Sequence, residues 1–178
     1  MSIVAVKDQS MRAFTNVSGG FDAVMGSRGS KLSLVLFSVF HMDKAPGTLP
    51  WKEYEDIKSN NRIKTAVPIV VGDSLNGFRI VGTVPELFDV EYKSGKKHSV
   101  QKPGRLFNDD VQEAVIGSYA ARVVKWKQEK PDGTKVKRKG LRVGDVFRPM
   151  HGLGRESKIV HPVDYLVTGI LQPSNTPA

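Results

Sequence analysis

The sequence predicts an α+β protein with more strand than helix. Three observations carry this. Apolar, β-branched runs of strand length recur at IKTAVPIVV (63–71), FRIVGTV (78–84), EAVIG (113–117) and DYLVTGIL (164–171). Gly, Pro, Asn and Asp clusters punctuate them. Only a few short stretches show helical spacing, and no repeat of solenoid period is present.

Taken in order, Ser2–Phe14 places Val4, Met11 and Phe14 near a helical spacing and predicts a short, poorly buried helix, which NVSGG (16–20) ends. FDAVMG (21–26) reads as a first strand and SRGS (27–30) as a loop. In Leu32–Phe40 the residues Leu32, Val35, Leu36, Val39 and Phe40 fit a helix, although Leu32, Leu34 and Leu36 also alternate; helix is the expectation. DKAPG (43–47) is turn chemistry. Thr48 is placed to cap a helix with Pro50 in its first turn, Trp51, Tyr54 and Ile57 on one side, and Asn60–Asn61 at a left-handed exit.

The strands 63–71 and 78–84 follow, with GDSLNG (72–77) as the loop between them and Pro68 confining part of the first to an edge or bulge. Residues 89–104 hold few core positions and predict loops and short strands. After the strand 113–117, Ser118 is placed to cap the short helix YAARVVKWK. KPDGTK (130–135) is a strong hairpin signal between KWKQE and VKRKGL. LRVGDVFRP (141–149) and 164–171 complete the strands.

Composition sets limits on function. The chain has 178 residues, 39% hydrophobic and 25% charged, enough for one domain or two small lobes. It contains no cysteine, which excludes a disulfide scaffold, a zinc ribbon and a thiol nucleophile. The longest apolar run, Leu32–Phe40, is far below the ~20 residues of a spanning helix, and MSIVAVKDQS lacks the parts of a signal peptide, so the chain as given reads as soluble. GILQPSNTPA runs an apolar strand into a polar tail, which fits a piece of a longer protein.

The formal net charge is +9, and its densest segment is 125–142: Lys125, Lys127, Lys130, Lys135, Lys137, Arg138, Lys139 and Arg142, with Trp126 interleaved. A basic surface of this kind can meet nucleic acid, anionic lipid or an acidic protein, and the ribbon itself reads as one that grips phosphate backbones or lipid headgroups. The plainer alternative is a solvated hairpin whose edge lysines prevent unwanted strand pairing. The histidines are His41, His98, His151 and His161, with no ligand pair at helical spacing; His151 and His161 bracket HGLGRESKIVH and are candidates to converge with Asp164. Loop histidines are more often surface or capping groups, so neither metal nor cofactor is expected. GSRGS and GLGRES lack the G-K-[ST] of a phosphate loop, and Asp109–Asp110 beside a strand start suits a turn. No catalytic constellation is present by sequence, and the chain is not expected to be an enzyme.

The succession GSRGSKLSLVLFSVFHMDKAPGTLPWKEYEDIK, AVPIVVGDSLNGFRIVGTVPELFD, EAVIGSYAAR, GLRVGDVFRPMHGLG and YLVTGILQPSNTP resembles the extracytoplasmic core domain of FtsX/MacB-like ABC transporter permeases, from about Phe21 to the C-terminus. The resemblance implies a two-lobed fold between two membrane helices. It implies a stalk remnant at 1–20, a membrane-proximal βαβ-type lobe at 21–85 with 165–173, and a distal lobe at 86–164 that carries the basic hairpin 125–142. It further implies an inner-membrane permease with this part on the periplasmic side. ATP is then hydrolysed by a cognate subunit, a second permease copy completes a dimer, and a periplasmic substrate or adaptor is bound. The basic hairpin is not a feature of the better-known branches, which leaves the substrate open. Two other hypotheses stand beside this one: a nucleic-acid- or anionic-lipid-binding module using the hairpin, and a metal- or hydrolase-type enzyme using His151, His161 and Asp164.

Overall fold

The computed structural model describes residues 18–38, 40–42, 47–129, 132–153 and 159–174. The chain forms two compact units: one of Met1–Val67, Phe88–His98 and Ser174–Ala178, the other of Pro68–Leu87 and Ser99–Pro173. The mixed α+β character expected from the sequence is present, as short helices with several small sheets.

The first unit carries helices α1 (Lys31–Ser38) and α2 (Trp51–Lys58). α1 bears out the helical reading as far as Ser38, with residue 40 in a turn; its buried residue is Phe37, while Leu32 is exposed. α2 is also where the sequence placed it, but its ends differ. Pro50 occupies the N-cap and no side chain caps it. The C-cap is Ser59 in right-handed geometry, and Asn60 instead accepts the Arg62 N–H at 3.0 Å in a local turn. Residues 21–26 are irregular rather than the expected strand. The predicted N-terminal helix and residues 43–46 of the predicted turn lie outside the described residues.

The second unit is built on three small sheets. Strands β1 (Val70–Leu75) and β2 (Phe78–Gly82) form an antiparallel hairpin whose turn is Asn76–Gly77. Both turn residues have positive φ, 52° and 85°, the conformation that matches strand twist across a two-residue connection. The sequence reading took all of 72–77 as loop; Asn-Gly alone suffices, so GDSL extends the strand instead. β1 also carries an irregularity between Val71 and Asp73. A short 3-10 turn (Pro85–Asp89) leads into the first unit's small hairpin of β3 (Glu91–Lys93) and β4 (Lys96–Lys97).

Strand β5 (Glu113–Ile116) precedes α3 (Ser118–Val123), which is shorter than YAARVVKWK suggested and has Gly117 rather than Ser118 at its N-cap. Strands β6 (Lys125–Glu129) and β7 (Lys135–Lys139) then form the basic hairpin in the expected place. Three more strands follow: β8 (Val146–Phe147), β9 (Met150–His151) and β10 (Tyr165–Ile170). β10 is central in its sheet, parallel to β5 and antiparallel to β8. β9 adds to the free edge of β1.

The core of this unit gathers Val124, Trp126, Leu141, Phe147 and Val167, with Leu75, Phe78, Ile80, Val136 and Tyr165 packed around them. It draws on all three sheets, so burial of apolar area ties them together. Segment 100–105 crosses β10 closely: Gln101 N–H donates to Ile170 O and Arg105 N–H to Thr168 O. Gly169 allows this approach, because a Cβ there would stand 2.5 Å from both Arg105 O and Val100 Cγ1. Gly169→Ala is therefore expected to destabilise the unit by about 1–3 kcal/mol, the usual cost of forced overpacking. Urea unfolding of the variant checks this; an unchanged midpoint would show that the crossing segment yields freely.

Candidate functional site

The basic hairpin shows two opposed faces. The register pairs Lys125 with Lys139, Trp126 with Arg138, Lys127 with Lys137 and Glu129 with Lys135. Because successive residues alternate across a strand, Trp126 and Arg138 turn inward together. Trp126 is 5% exposed and its Nε1–H donates to Val146 O at 2.9 Å. The Arg138 guanidinium lies over the indole, 4.1 Å from its centroid, and pairs with Asp145. Asp145 also accepts the Arg142 backbone N–H at 2.6 Å. Asn76 ties the hairpin to the β1–β2 turn by donating to Lys125 O at 2.9 Å.

The other face is cationic. Lys125, Lys127, Lys135, Lys137 and Lys139 are exposed, as is Arg142 beyond the strand end. Two successive cross-strand pairs, 125/139 and 127/137, set lysine against lysine at a Cβ separation of roughly 4.5–5.5 Å. Among the described residues, no carboxylate pairs with these four ammonium groups. Of the candidate residues named from sequence, Trp126 and Arg138 thus anchor the ribbon, Lys125, Lys127, Lys135, Lys137, Lys139 and Arg142 are exposed, and Lys130 lies outside the described residues.

The histidines form a second constellation. β9 pairs with β1 so that Asp73 stands opposite His151. The returning segment bonds back to β9: His151 N–H donates to Ile159 O and His161 N–H to Pro149 O, around a bridge between Met150 and Val160. This register puts His161 opposite Pro149, two residues from His151, and so on the same face of the pleat. His161 Nε2 is 3.1 Å and His151 Nδ1 3.6 Å from the same Asp73 oxygen, Oδ1. The two rings stand edge to face, 5.6 Å apart.

The expected convergence of His151 and His161 is present, but the carboxylate is Asp73 rather than Asp164. Asp164 is held elsewhere by a two-pronged contact with Arg148, at 2.6 and 3.1 Å, which lowers its pKa below the ordinary aspartate value. The missing signal was long-range: Asp73 lies 88 residues from His161, and the β1–β9 pairing with the Met150–Val160 bridge brings them together. Asp110 N–H bonds to Asn108 Oδ1 at 3.0 Å, as suits a turn.

Comparisons of the chain with family models, with curated proteins and with solved structures return no match. Among the described residues no helix is long and apolar enough to cross a membrane.

Proposed function

We propose that this chain is a non-catalytic binding module, the extracytoplasmic part of an FtsX/MacB-like ABC permease, and that its lysine face engages the acidic surface of a periplasmic substrate or adaptor. The observation that carries the binding part is the pair of opposed lysines, 125/139 and 127/137, on one face of a ribbon anchored from behind by Trp126. Like charges set directly opposite each other disfavour the ladder. Spreading them out, or alternating them with glutamate, would serve solubility equally well. Their concentration on one face suits a complementary anion.

The permease part rests on the order and spacing of the segments quoted above. In that setting the ATP-hydrolysing subunit and the second permease copy belong to the full assembly, and this chain contributes recognition and transmits motion.

The nucleic-acid alternative is the weaker one. Single strands are held by aromatic platforms as well as charge, and the one aromatic of the ribbon, Trp126, is buried. Photo-crosslinking from position 127 in the source cells tests the reading. The expected result is a protein adduct that disappears at roughly 0.5 M salt, where exposed charges are screened. Adducts to lipid or nucleic acid, or a protein adduct indifferent to salt, would overturn it.

A further inference from the structure

We infer that Asp73, His151 and His161 form a binding site for a single divalent transition-metal ion, with zinc the chemically best-suited. The three donor atoms all lie within 4.8 Å of one another. An ion about 2.0–2.1 Å from each donor in tetrahedral geometry places donors about 3.3 Å apart. The observed separations from Asp73 Oδ1, 3.1 Å to His161 Nε2 and 3.6 Å to His151 Nδ1, lie on either side of that value. Both imidazoles thus already stand at ligand spacing from the carboxylate oxygen, and closing the set around an ion requires the two imidazole nitrogens, within 4.8 Å of each other, to come to a similar spacing.

The backbone favours the same arrangement. Each ligand comes from a different strand-like segment, and ladder hydrogen bonds fix all three. Gly152 N–H donates to Gly72 O at 2.8 Å, His151 N–H to Ile159 O at 2.8 Å, and His161 N–H to Pro149 O at 2.9 Å. The irregularity between Val71 and Asp73 lies immediately before the carboxylate; such bulges re-aim a side chain relative to a regular strand. Loop entropy that would otherwise oppose assembly of the site is already spent in folding.

Donor chemistry chooses the class of ion. Two imidazoles and one carboxylate suit zinc, nickel, cobalt or copper(II) and are a poor match for calcium or magnesium, which prefer oxygen ligands. The nitrogens nearest the carboxylate, and so the ones placed to bind, are Nδ1 of His151 and Nε2 of His161. The side chain of His151 is 65% exposed and those of His161 and Asp73 are 37% and 33% exposed, so the site opens to solvent on one side. Three protein ligands leave a fourth position for water or for a donor atom of a bound molecule. This site is independent of the lysine face and stands whether or not the permease reading does.

The test is calorimetric titration of the tag-free protein with Zn2+, repeated with Co2+ and read by its visible absorption. One Zn2+ per chain is expected, and cobalt should give the intense d–d bands of a tetrahedral or five-coordinate site. Loss of one of three ligands should weaken uptake at least about tenfold in His161→Ala and in Asp73→Ala. His151→Gln, at the most exposed of the three positions, gives the same loss with the least disturbance of the fold, and circular dichroism verifies the fold of each variant. Asp164→Asn, which touches only the Arg148 pair, should bind zinc as the parent does. Absence of uptake, uptake within twofold of the parent in both His161→Ala and His151→Gln, or equal loss in Asp164→Asn would each overturn the site.

Discussion

Trp126→Ala is expected to lower the stability of the second unit by about 3–5 kcal/mol, the range for removing a large aromatic from a core. Three losses act together. The indole is the largest member of the buried cluster with Val124, Leu141, Phe147 and Val167, so its removal leaves a cavity that the surrounding sheets cannot fully collapse into. The carbonyl of Val146 loses its Nε1–H donor. The Arg138 guanidinium loses the ring it covers and is left with Asp145 alone. Trp126→Phe separates these effects: it restores most of the volume without the N–H and should cost about 1–2 kcal/mol. Hydrogen exchange at the amides of β5 and β10 reads the unit directly. Unchanged protection in Trp126→Ala would mean that the hairpin hangs free of the core.

The second large effect concerns the lysine face. Lys125→Glu with Lys127→Glu converts both opposed pairs, 125/139 and 127/137, from repulsive to attractive. The double variant should be at least as stable as the parent, with a thermal midpoint equal or higher. It should also lose the salt-sensitive adduct formed from a crosslinker placed at position 137. This opposition of stability and binding distinguishes a functional face from a solubilising edge, since natural sequences retain unfavourable local charge where function needs it. If the adduct persists at parental yield while stability rises, the lysines are edge protection and the binding role fails.

These two residue sets differ in how far the sequence alone revealed them. The hairpin was legible because its determinants are local: KPDGTK sets the turn and alternation sets the faces. Even so, burial of Trp126 was not, because alternation shows that two faces exist without showing which one meets a core. The helices at 31–38 and 51–58 were legible from spacing, whereas their ends were not, since Thr48 and Asn60–Asn61 have the right chemistry for caps and the chain uses Pro50 and Ser59 instead. The β1–β2 turn was misjudged in length because Gly72 and Asp73 look like loop residues. They are strand residues beside an irregularity that precedes the Asp73 carboxylate.

The histidine constellation shows the limit most plainly. His151 and His161 are close in sequence, and Asp164, three residues beyond His161, is the third member that the sequence suggests. Arg148 competes for that carboxylate with a two-pronged hydrogen bond, and β-pairing delivers Asp73 in its place. No property of the loop itself carries that information. The inferred metal site consequently departs from the sequence expectation of no metal, and does so on geometry rather than on motif.

The permease reading is tested most directly by immunoblotting fractionated source cells with an antibody raised against this chain. It predicts a polypeptide much longer than 178 residues in the inner-membrane fraction, resistant to alkaline extraction and released only by detergent. A band of the size of this chain, recovered in the soluble fraction, would contradict it.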